Sequence, residues 1–163
     1  MISVNDLSVL LDNSYIIVDL KSKSKDGAIN EMLNYAISNG LDINIENVIS
    51  IINKKETIGN SGLGYGIAFP HIRTKDLEQN KIIFAISREG VDYGSRDNKP
   101  VHFIILFLTS LKPSENNKYL SFLSLITRMS RLIMYTVLLI ESKTKDEFRN
   151  KFFNIGKNIL EDK

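Results

Sequence analysis

One run of residues constrains the fold more than any other: the segment 101–110, "VHFIILFLTS", is almost entirely apolar. It is too short to cross a membrane, which takes roughly 18 apolar residues. Its β-branched and aromatic residues are typical of a strand, and a strand without polar alternation is buried on both faces. We therefore predict a central strand, and the rest of the chain must supply a covering layer for each of its sides.

Hydrophobic periodicity elsewhere predicts the elements that cover this strand. Apolar residues recur at helical spacing in several segments, and β-branched residues cluster in others. These elements indicate an α/β fold, a single domain over 1–163 with a mixed β-sheet flanked by helices on both faces. Strands are predicted at 15–20, 81–89 and 101–110, and helices at 25–40, 44–55 and, in several pieces, from Ser114 onward, the last opening with a capping-box pattern at Thr144 to Glu147.

The composition excludes several kinds of chemistry. The chain has no cysteine, so it has no disulfide framework, no thiolate nucleophile and no cysteine-bound metal site. Its two histidines, without a third ligand, make a weak case for zinc. We expect neither a metal nor another cofactor.

Charge and hydropathy indicate where the protein works. The formal net charge is +2, and lysines alternate with carboxylates instead of forming a basic block, so no nucleic-acid partner is expected. The N-terminal residues lack the basic start and apolar core of a signal peptide. We expect a cytoplasmic protein that does not insert into a membrane.

The stretch 59–73, "GNSGLGYGIAFPHIR", places four glycines in eight positions. It lacks the Gly-Lys-Ser/Thr of a nucleotide-binding loop, and β-type residues follow where both nucleotide and dinucleotide motifs require a helix. Two interpretations stay open. The glycines form either a turn and a strand that another backbone approaches closely, or a loop whose amides hold an anion.

Pro70 gives the end of this stretch a defined geometry. Proline fixes its own φ and biases Phe69 to an extended conformation, so we predict a strand that ends abruptly and presents His71 at the sheet edge. Without cysteine, His71 is the most credible nucleophile, because a neutral imidazole has one unprotonated nitrogen. The alternative is an ordinary surface or core histidine. His102, at the start of the apolar strand, is interpreted as structural.

The segment "KETIGNSGLGYGIAFPH" resembles the active-site signature of the phosphotransferase-system (PTS) enzyme IIA domains of the mannitol and fructose class, EIIA type 2. That class includes the nitrogen-regulatory IIA proteins. The similarity continues through "EGVDYGSRDNKPVHFIILFL" and the helices after it, and so covers nearly the whole chain. The residues that match the two halves of the signature are Glu56, Ile58, Gly59, Asn60 and Ser61, then Gly66, Ile67, Ala68, Phe69, Pro70 and His71.

This resemblance implies a phosphoryl-carrier protein with a phosphohistidine intermediate. His71 would accept the phosphoryl group from the phosphocarrier HPr or a paralogue, and pass it to a cysteine of a IIB domain for sugar uptake of the fructose or mannitol type. One alternative is a nitrogen-regulatory protein whose phosphorylation controls binding to regulatory targets. A second alternative is a degenerate IIA-like module that only binds a partner.

The resemblance also implies a site around His71 that departs from the family pattern. Ser61 stands where the family usually has threonine, and Lys55 where it usually has arginine. Tyr119 stands where many members carry a second active-site histidine. We expect Lys55, Ser61 and Tyr119 to stabilise the phosphoryl group, although Lys55 also fits a solvated lysine at a helix end. Partner specificity is assigned to an exposed apolar surface that includes Leu63, Tyr65 and Phe69.

Overall fold

The computed structural model describes residues 2–162, apart from the side chain of Ile133. Met1 and Lys163, the ends of the predicted domain, lie outside the described residues. The helices are α1 Val4–Asp12, α2 Lys25–Ser38, α3 Ile45–Ile58, α4 Pro113–Ser130, α5 Ile133–Ile140 and α6 Lys145–Glu161. The strands are β1 Tyr15–Ile17, β2 Gly62–Gly64, β3 Ile67–Ala68, β4 His71–Thr74, β5 Lys81–Val91 and β6 Val101–Ser110.

The strands form one mixed sheet with the apolar strand β6 in its interior. Their order is β1-β5-β6-β3-β2, and β4 also pairs with β6. β5 runs antiparallel to β6, whereas β3 and β4 run parallel to it. The predicted central strand is therefore confirmed, with neighbours on both edges that satisfy its backbone groups.

The side chains of β6 alternate between two separate cores, one on each face of the sheet. Ile104, Leu106 and Leu108 face an aliphatic core beneath α2 and α3. Phe103 and Phe107 face a second core, rich in aromatic residues, that is covered mainly by α1, α4 and α6. The prediction of an α/β fold with helices on both faces of a mixed sheet is confirmed, because each face buries its own apolar layer.

Helix α1 is an element that the sequence analysis did not predict. Its N-cap Ser3 accepts a hydrogen bond from the Asp6 amide, and the Asp6 side chain accepts one from the Ser3 amide. Leu7 and Leu11 of this helix are buried against the aromatic core. The signal was the capping box Ser3–Asp6 ahead of leucines at helical spacing.

The chain around Pro70 differs from its prediction. β3 pairs Ala68 with Ile104, and β4 resumes in the same register by pairing His71 with Phe107. Pro70 interrupts the ladder because it has no N–H to donate, yet its carbonyl accepts from the Phe107 amide at 2.9 Å. The strand does end ahead of Pro70, at Ala68, and β4 pairs only with β6 among the described strands, so His71 lies at a sheet edge as predicted. The prediction missed that His71 begins a second strand along β6.

The helical part after β6 breaks twice, between α4 and α5 and between α5 and α6. α4 ends at Ser130 and α5 begins at Ile133. Within residues 2–162 no individual helix has both the length and the apolar character to cross a membrane. α4 and residues 134–140 meet that test only as a pair, by length and composition, and the pair is bent by 99°.

Candidate active site

His71 is held by the backbone of its own strand. Its Nδ1 lies 3.1 Å from the carbonyl oxygen of Phe69, two residues earlier. A carbonyl oxygen only accepts, so Nδ1 carries the ring proton and donates it to Phe69. In the neutral ring the lone pair is therefore on Nε2, the nitrogen available for nucleophilic attack.

The surroundings of His71 favour the neutral ring. Burial is the largest cause and lowers the pKa of His71, and the charge of Lys55 lowers this pKa as well. The hydrogen bond to Phe69 and the charge of Glu56 raise the pKa of His71. The net shift is downward from the ordinary value of 6.5. Because a lower pKa keeps the ring neutral to a lower pH, His71 has an unprotonated nitrogen at neutral pH.

Two aromatic rings flank the imidazole. The ring centroids of Phe69 and Tyr119 lie 5.3 Å and 6.1 Å from that of His71. Both rings pack on Phe107, at 6.4 Å and 5.5 Å, so one buried side chain supports both neighbours of the histidine. Burial raises the pKa of Tyr119, so its hydroxyl keeps its proton at neutral pH and acts as a donor.

Lys55 reaches His71 from the last turn of α3. Its Nζ donates to the His71 carbonyl oxygen at 2.5 Å. Burial lowers the pKa of Lys55, and the charge of Glu56 acts against this shift. An ammonium group carries three donors, so Lys55 has donors beyond the one used on His71. The structure thus brings Lys55 to the backbone of the histidine, and its role in stabilising a phosphoryl group stays a prediction.

Ser61 is brought near the site but its hydroxyl has other partners. It donates to the Glu56 carboxylate, and it lies 2.7 Å from the Tyr93 hydroxyl. Lys25 in turn donates to Glu56 at 2.6 Å. A role of Ser61 in stabilising a phosphoryl group stays a prediction, and it requires the hydroxyl to turn away from Glu56.

The glycine-rich segment is a β-hairpin, which supports the first of the two interpretations. β2 pairs antiparallel with β3, and Gly64, Tyr65 and Gly66 have φ of 84°, 55° and 80° at the turn. The Gly62 amide donates to the Asn60 side chain at 2.7 Å, and the Tyr65 amide to Asp97 at 3.0 Å. Both amides therefore already have protein acceptors.

The close backbone approach is found at Gly62. A Cβ atom at this position would lie 2.5 Å from the Ser95 hydroxyl and 3.1 Å from the Ser95 Cα. The first distance requires the Ser95 hydroxyl to move, and the second is tight enough that the Ser95 backbone would have to shift slightly as well. Glycine at this position allows the hairpin to pack against the loop that precedes β6.

A cavity of about 480 Å³ opens beside His71, between α3, the hairpin and α4. Leu63 and Phe69 both line it. Leu63 is exposed, whereas Phe69 is only 5% exposed, so Phe69 belongs to the core and not to the exposed surface that was predicted. The wall formed by α4 and its C-cap carries three polar residues that the sequence analysis missed: Thr127 and Ser130 in the helix and the C-cap Arg131. Their spacing of three and four residues on a helix was the signal that they share a face.

His102 is separate from this site. Its Nδ1 lies 2.8 Å from the Ser87 carbonyl oxygen, which gives the ring a structural partner. His71 pairs with Phe107, five positions further along β6, which is about 17 Å at the rise of an extended strand. Among the described residues, no group of three or more His, Cys, Asp or Glu side chains is arranged to hold a metal ion.

The structure thus places a neutral histidine beside a lysine and a tyrosine, in an α/β domain whose mixed sheet is covered by helices on both faces. The comparison with protein families is specific. Residues 9–154 match the family described as "Phosphoenolpyruvate-dependent sugar phosphotransferase system, EIIA 2". The chain belongs to this family, as its resemblance implied.

Individual relatives include both fructose-specific PTS components and a nitrogen regulatory protein. The chain is 31% identical over 143 residues to the PTS system fructose-specific EIIABC component of Bacillus subtilis, covering 86% of this chain but only 22% of that protein. It is 26% identical over 132 residues to the fructose-specific EIIA component of Haloferax volcanii, covering 81% and 82% of the two chains. The crystal structure of the nitrogen regulatory protein IIA-Ntr from Neisseria meningitidis superposes with a TM-score of 0.76 at 25% identity, covering 89% of this chain and 97% of the other.

The electrostatics of the site lead to a first prediction. Replacing Lys55 by methionine removes a positive charge that lowers the pKa of His71, so the His71 pKa is expected to rise. It should remain below 6.5, because burial is the larger cause of the shift. Titration of the imidazole C–H resonances by NMR measures both values, with a His71→Gln variant to assign the signal. An unchanged pKa in Lys55→Met would contradict the assigned electrostatic contact.

Proposed function

We propose that this protein is a phosphoryl carrier of the phosphotransferase system. His71 accepts a phosphoryl group on Nε2 from an HPr-type phosphocarrier and passes it to a cysteine of a IIB domain, for sugar uptake of the fructose or mannitol type. The observation that carries the proposal is the bond between Nδ1 of His71 and the Phe69 carbonyl oxygen, which leaves the lone pair on Nε2. Family membership and the fructose-specific relatives support the reaction class.

The transfer balances without any further reactant. The Nε2 lone pair attacks phosphorus, a new N–P bond forms, and the N–P bond of the donor phosphohistidine breaks. The donor ring, protonated on its other nitrogen, leaves as neutral imidazole, while His71 becomes the phosphorylated ring that keeps its Nδ1 proton. Because the bond broken and the bond formed are of the same kind, catalysis consists of positioning and charge stabilisation.

The residues next to His71 supply that stabilisation in this proposal. Lys55 has ammonium donors beyond the one bound to the His71 carbonyl, and they place positive charge beside an incoming phosphoryl group. Tyr119, whose ring centroid lies 6.1 Å from that of His71, supplies a neutral hydroxyl donor. Ser61 contributes only if it exchanges its bond to Glu56 for one to the phosphoryl group.

The proposal also requires a docking surface for the protein partners, and large apolar side chains are exposed on α3 and on the hairpin, two of the elements that line the cavity beside His71. Ile58 at the end of α3 is 90% exposed, and Tyr65 at the hairpin turn is 67% exposed. Large apolar side chains so exposed beside a reactive group are typical of interfaces between proteins. The name of the Bacillus subtilis relative combines A, B and C components in one protein, which supports a IIB domain as the recipient.

The alternative is a nitrogen-regulatory protein, in which phosphorylation of His71 controls binding to regulatory targets. The similarity to IIA-Ntr from Neisseria meningitidis over nearly the whole of both chains favours it. The two functions share the first step and differ only in the fate of the phosphoryl group. A degenerate module that takes up no phosphoryl group is the third case.

The experiment follows the phosphoryl group through both steps. The protein is incubated with an HPr-type carrier that enzyme I has phosphorylated from phosphoenolpyruvate, and an acid-labile phosphoryl group is expected on His71 by mass spectrometry. Purified IIB domains are then added. Transfer to a IIB cysteine supports the transport function, and its absence with every IIB domain of the same cell supports the regulatory one. A wild-type protein that stays unlabelled contradicts both and indicates the degenerate module.

A second prediction concerns the departure at Tyr119. Tyr119→Phe keeps the ring that packs on Phe107 but removes the hydroxyl. We expect phosphoryl acceptance to slow about tenfold, because a hydrogen bond to a charged group contributes about 1.5 kcal/mol or more. Stopped-flow or quench measurements of transfer from the phosphorylated carrier test this. An unchanged rate would remove Tyr119 from the site.

A further inference from the structure

A carboxylate lies beside the site that has to receive an anion. Glu56 lines the same cavity as His71, and its side chain is only 10% exposed. A phosphoryl group carries negative charge, and a partly buried carboxylate close to it repels it more strongly than an exposed one. This arrangement disfavours phosphoryl acceptance unless another group compensates the charge of Glu56.

The compensating group is Lys25, at the start of α2. Its Nζ lies 2.6 Å from Oε2 of Glu56, and its side chain is 26% exposed. The same ammonium group lies 5.0 Å from the centroid of the ring of Tyr93, a buried residue. Lys25 is therefore held between a carboxylate and an aromatic face, an environment that stabilises a cation.

A continuous series of hydrogen bonds links this ion pair to the reactive ring. Glu56 accepts from the Ser61 amide at 3.3 Å and from the Ser61 hydroxyl. The Ser61 carbonyl accepts from the Phe69 amide at 2.9 Å. The Phe69 carbonyl in turn accepts from Nδ1 of His71 at 3.1 Å. Glu56 is thus connected, through Ser61 and Phe69, to the carbonyl that orients the imidazole.

We propose that Lys25 is a positioning residue of the phosphoryl-accepting site, which neutralises Glu56 so that this carboxylate anchors Ser61 and, through Phe69, His71 without repelling the phosphoryl group. This proposal rests on the proposed phosphoryl transfer to His71. Lys25 acts through Glu56 and does not itself touch the phosphoryl group. Its effect therefore depends on whether the carboxylate is present, and a double-mutant cycle measures that dependence.

The experiment compares Lys25→Met, Glu56→Gln and the double variant. For each, kcat/KM is measured for phosphoryl acceptance from a phosphorylated HPr-type carrier. Lys25→Met is expected to lose roughly tenfold or more, because it leaves Glu56 uncompensated, and the added Glu56→Gln change should recover most of that loss. Lys25→Arg keeps the charge and should restore acceptance.

The matched control is Lys23→Met. Lys23 pairs with Glu89, and both side chains are 73% exposed, so this variant removes a lysine two positions away without changing the site. Its kcat/KM is expected to stay within about twofold of the wild type, since exposed ion pairs contribute little. Thermal unfolding of every variant shows which are folded. If Lys25→Met is not folded, the same measurements are made on Lys25→Gln.

A second readout needs no phosphoryl donor. The His71 pKa, measured by NMR, should rise in Lys25→Met, where the Glu56 charge is uncompensated, and return toward the wild-type value in the double variant. A merely structural role of Lys25 would not reverse in this way. The proposal would be overturned if the losses in kcat/KM of the two single variants added in the double variant. It would also be overturned if Lys25→Met matched Lys23→Met in both kcat/KM and the His71 pKa. An unlabelled wild type refutes the proposed function, whereas the NMR cycle still decides the coupling of Lys25 to His71.

Discussion

His71→Gln is expected to abolish phosphoryl acceptance. The rate should fall on the order of 10³-fold or more, because the variant has no nucleophilic side chain at this position. Glutamine has a similar reach but its amide nitrogen is not nucleophilic. The lone pair on Nε2 depends on the bond from Nδ1 to the Phe69 carbonyl oxygen, and both are lost. The acid-labile phosphoryl group formed from a phosphorylated carrier is the measured quantity.

His102→Gln is the matched control for this experiment. His102 contacts the Ser87 carbonyl and lies well away from the cavity beside His71. This variant should be labelled like the wild type, although its stability falls if Ser87 loses its partner. Labelling of His71→Gln at the wild-type level would show that another residue is the acceptor.

Phe107→Ala is expected to lower the free energy of unfolding by about 3–5 kcal/mol, the range for truncation of a fully buried aromatic side chain. Phe107 is fully buried in β6, and its ring packs against Phe69, Tyr119 and Phe122. The cavity left by truncation would lie directly beneath the two rings that flank His71. Urea denaturation monitored by circular dichroism gives the change in stability.

The same variant should also accept phosphoryl groups more slowly where it is folded, because Tyr119 and Phe69 lose the ring on which they pack. Leu63→Ala is the comparison: Leu63 is 48% exposed at the cavity, so its truncation should leave stability within about 0.5 kcal/mol of the wild type. A Phe107→Ala variant as stable as Leu63→Ala would contradict the assignment of Phe107 as the support of the site.

Much of the fold could be predicted because its signals are local. The apolar run of β6 indicated a strand buried on both faces, and the structure has one core on each face of it. The start of α6 was readable from Thr144, which accepts from the Glu147 amide at 3.1 Å. Helix α1 was not predicted, although its capping box Ser3–Asp6 is an equally local signal. The information was therefore present in the sequence, and the pattern was not interpreted.

The site was predictable only in part. The signature around Pro70 identified His71, and the similarity of the segment after β6 pointed to Tyr119, which the structure places against His71. The continuation of the strand after Pro70 was not readable, because a proline usually ends a ladder and only pairing with β6 shows that it resumes.

The sequence by itself determined most of the helices and the long strands, which histidine follows the proline, and which family the chain resembles. Those properties depend on side chains that are neighbours along the chain or recur at a fixed spacing. Only the tertiary structure decided that Lys55 contacts the His71 carbonyl and that Lys25 meets Glu56 across 31 positions. Contacts between distant residues depend on how separate helices pack against one sheet, and no local pattern encodes that packing.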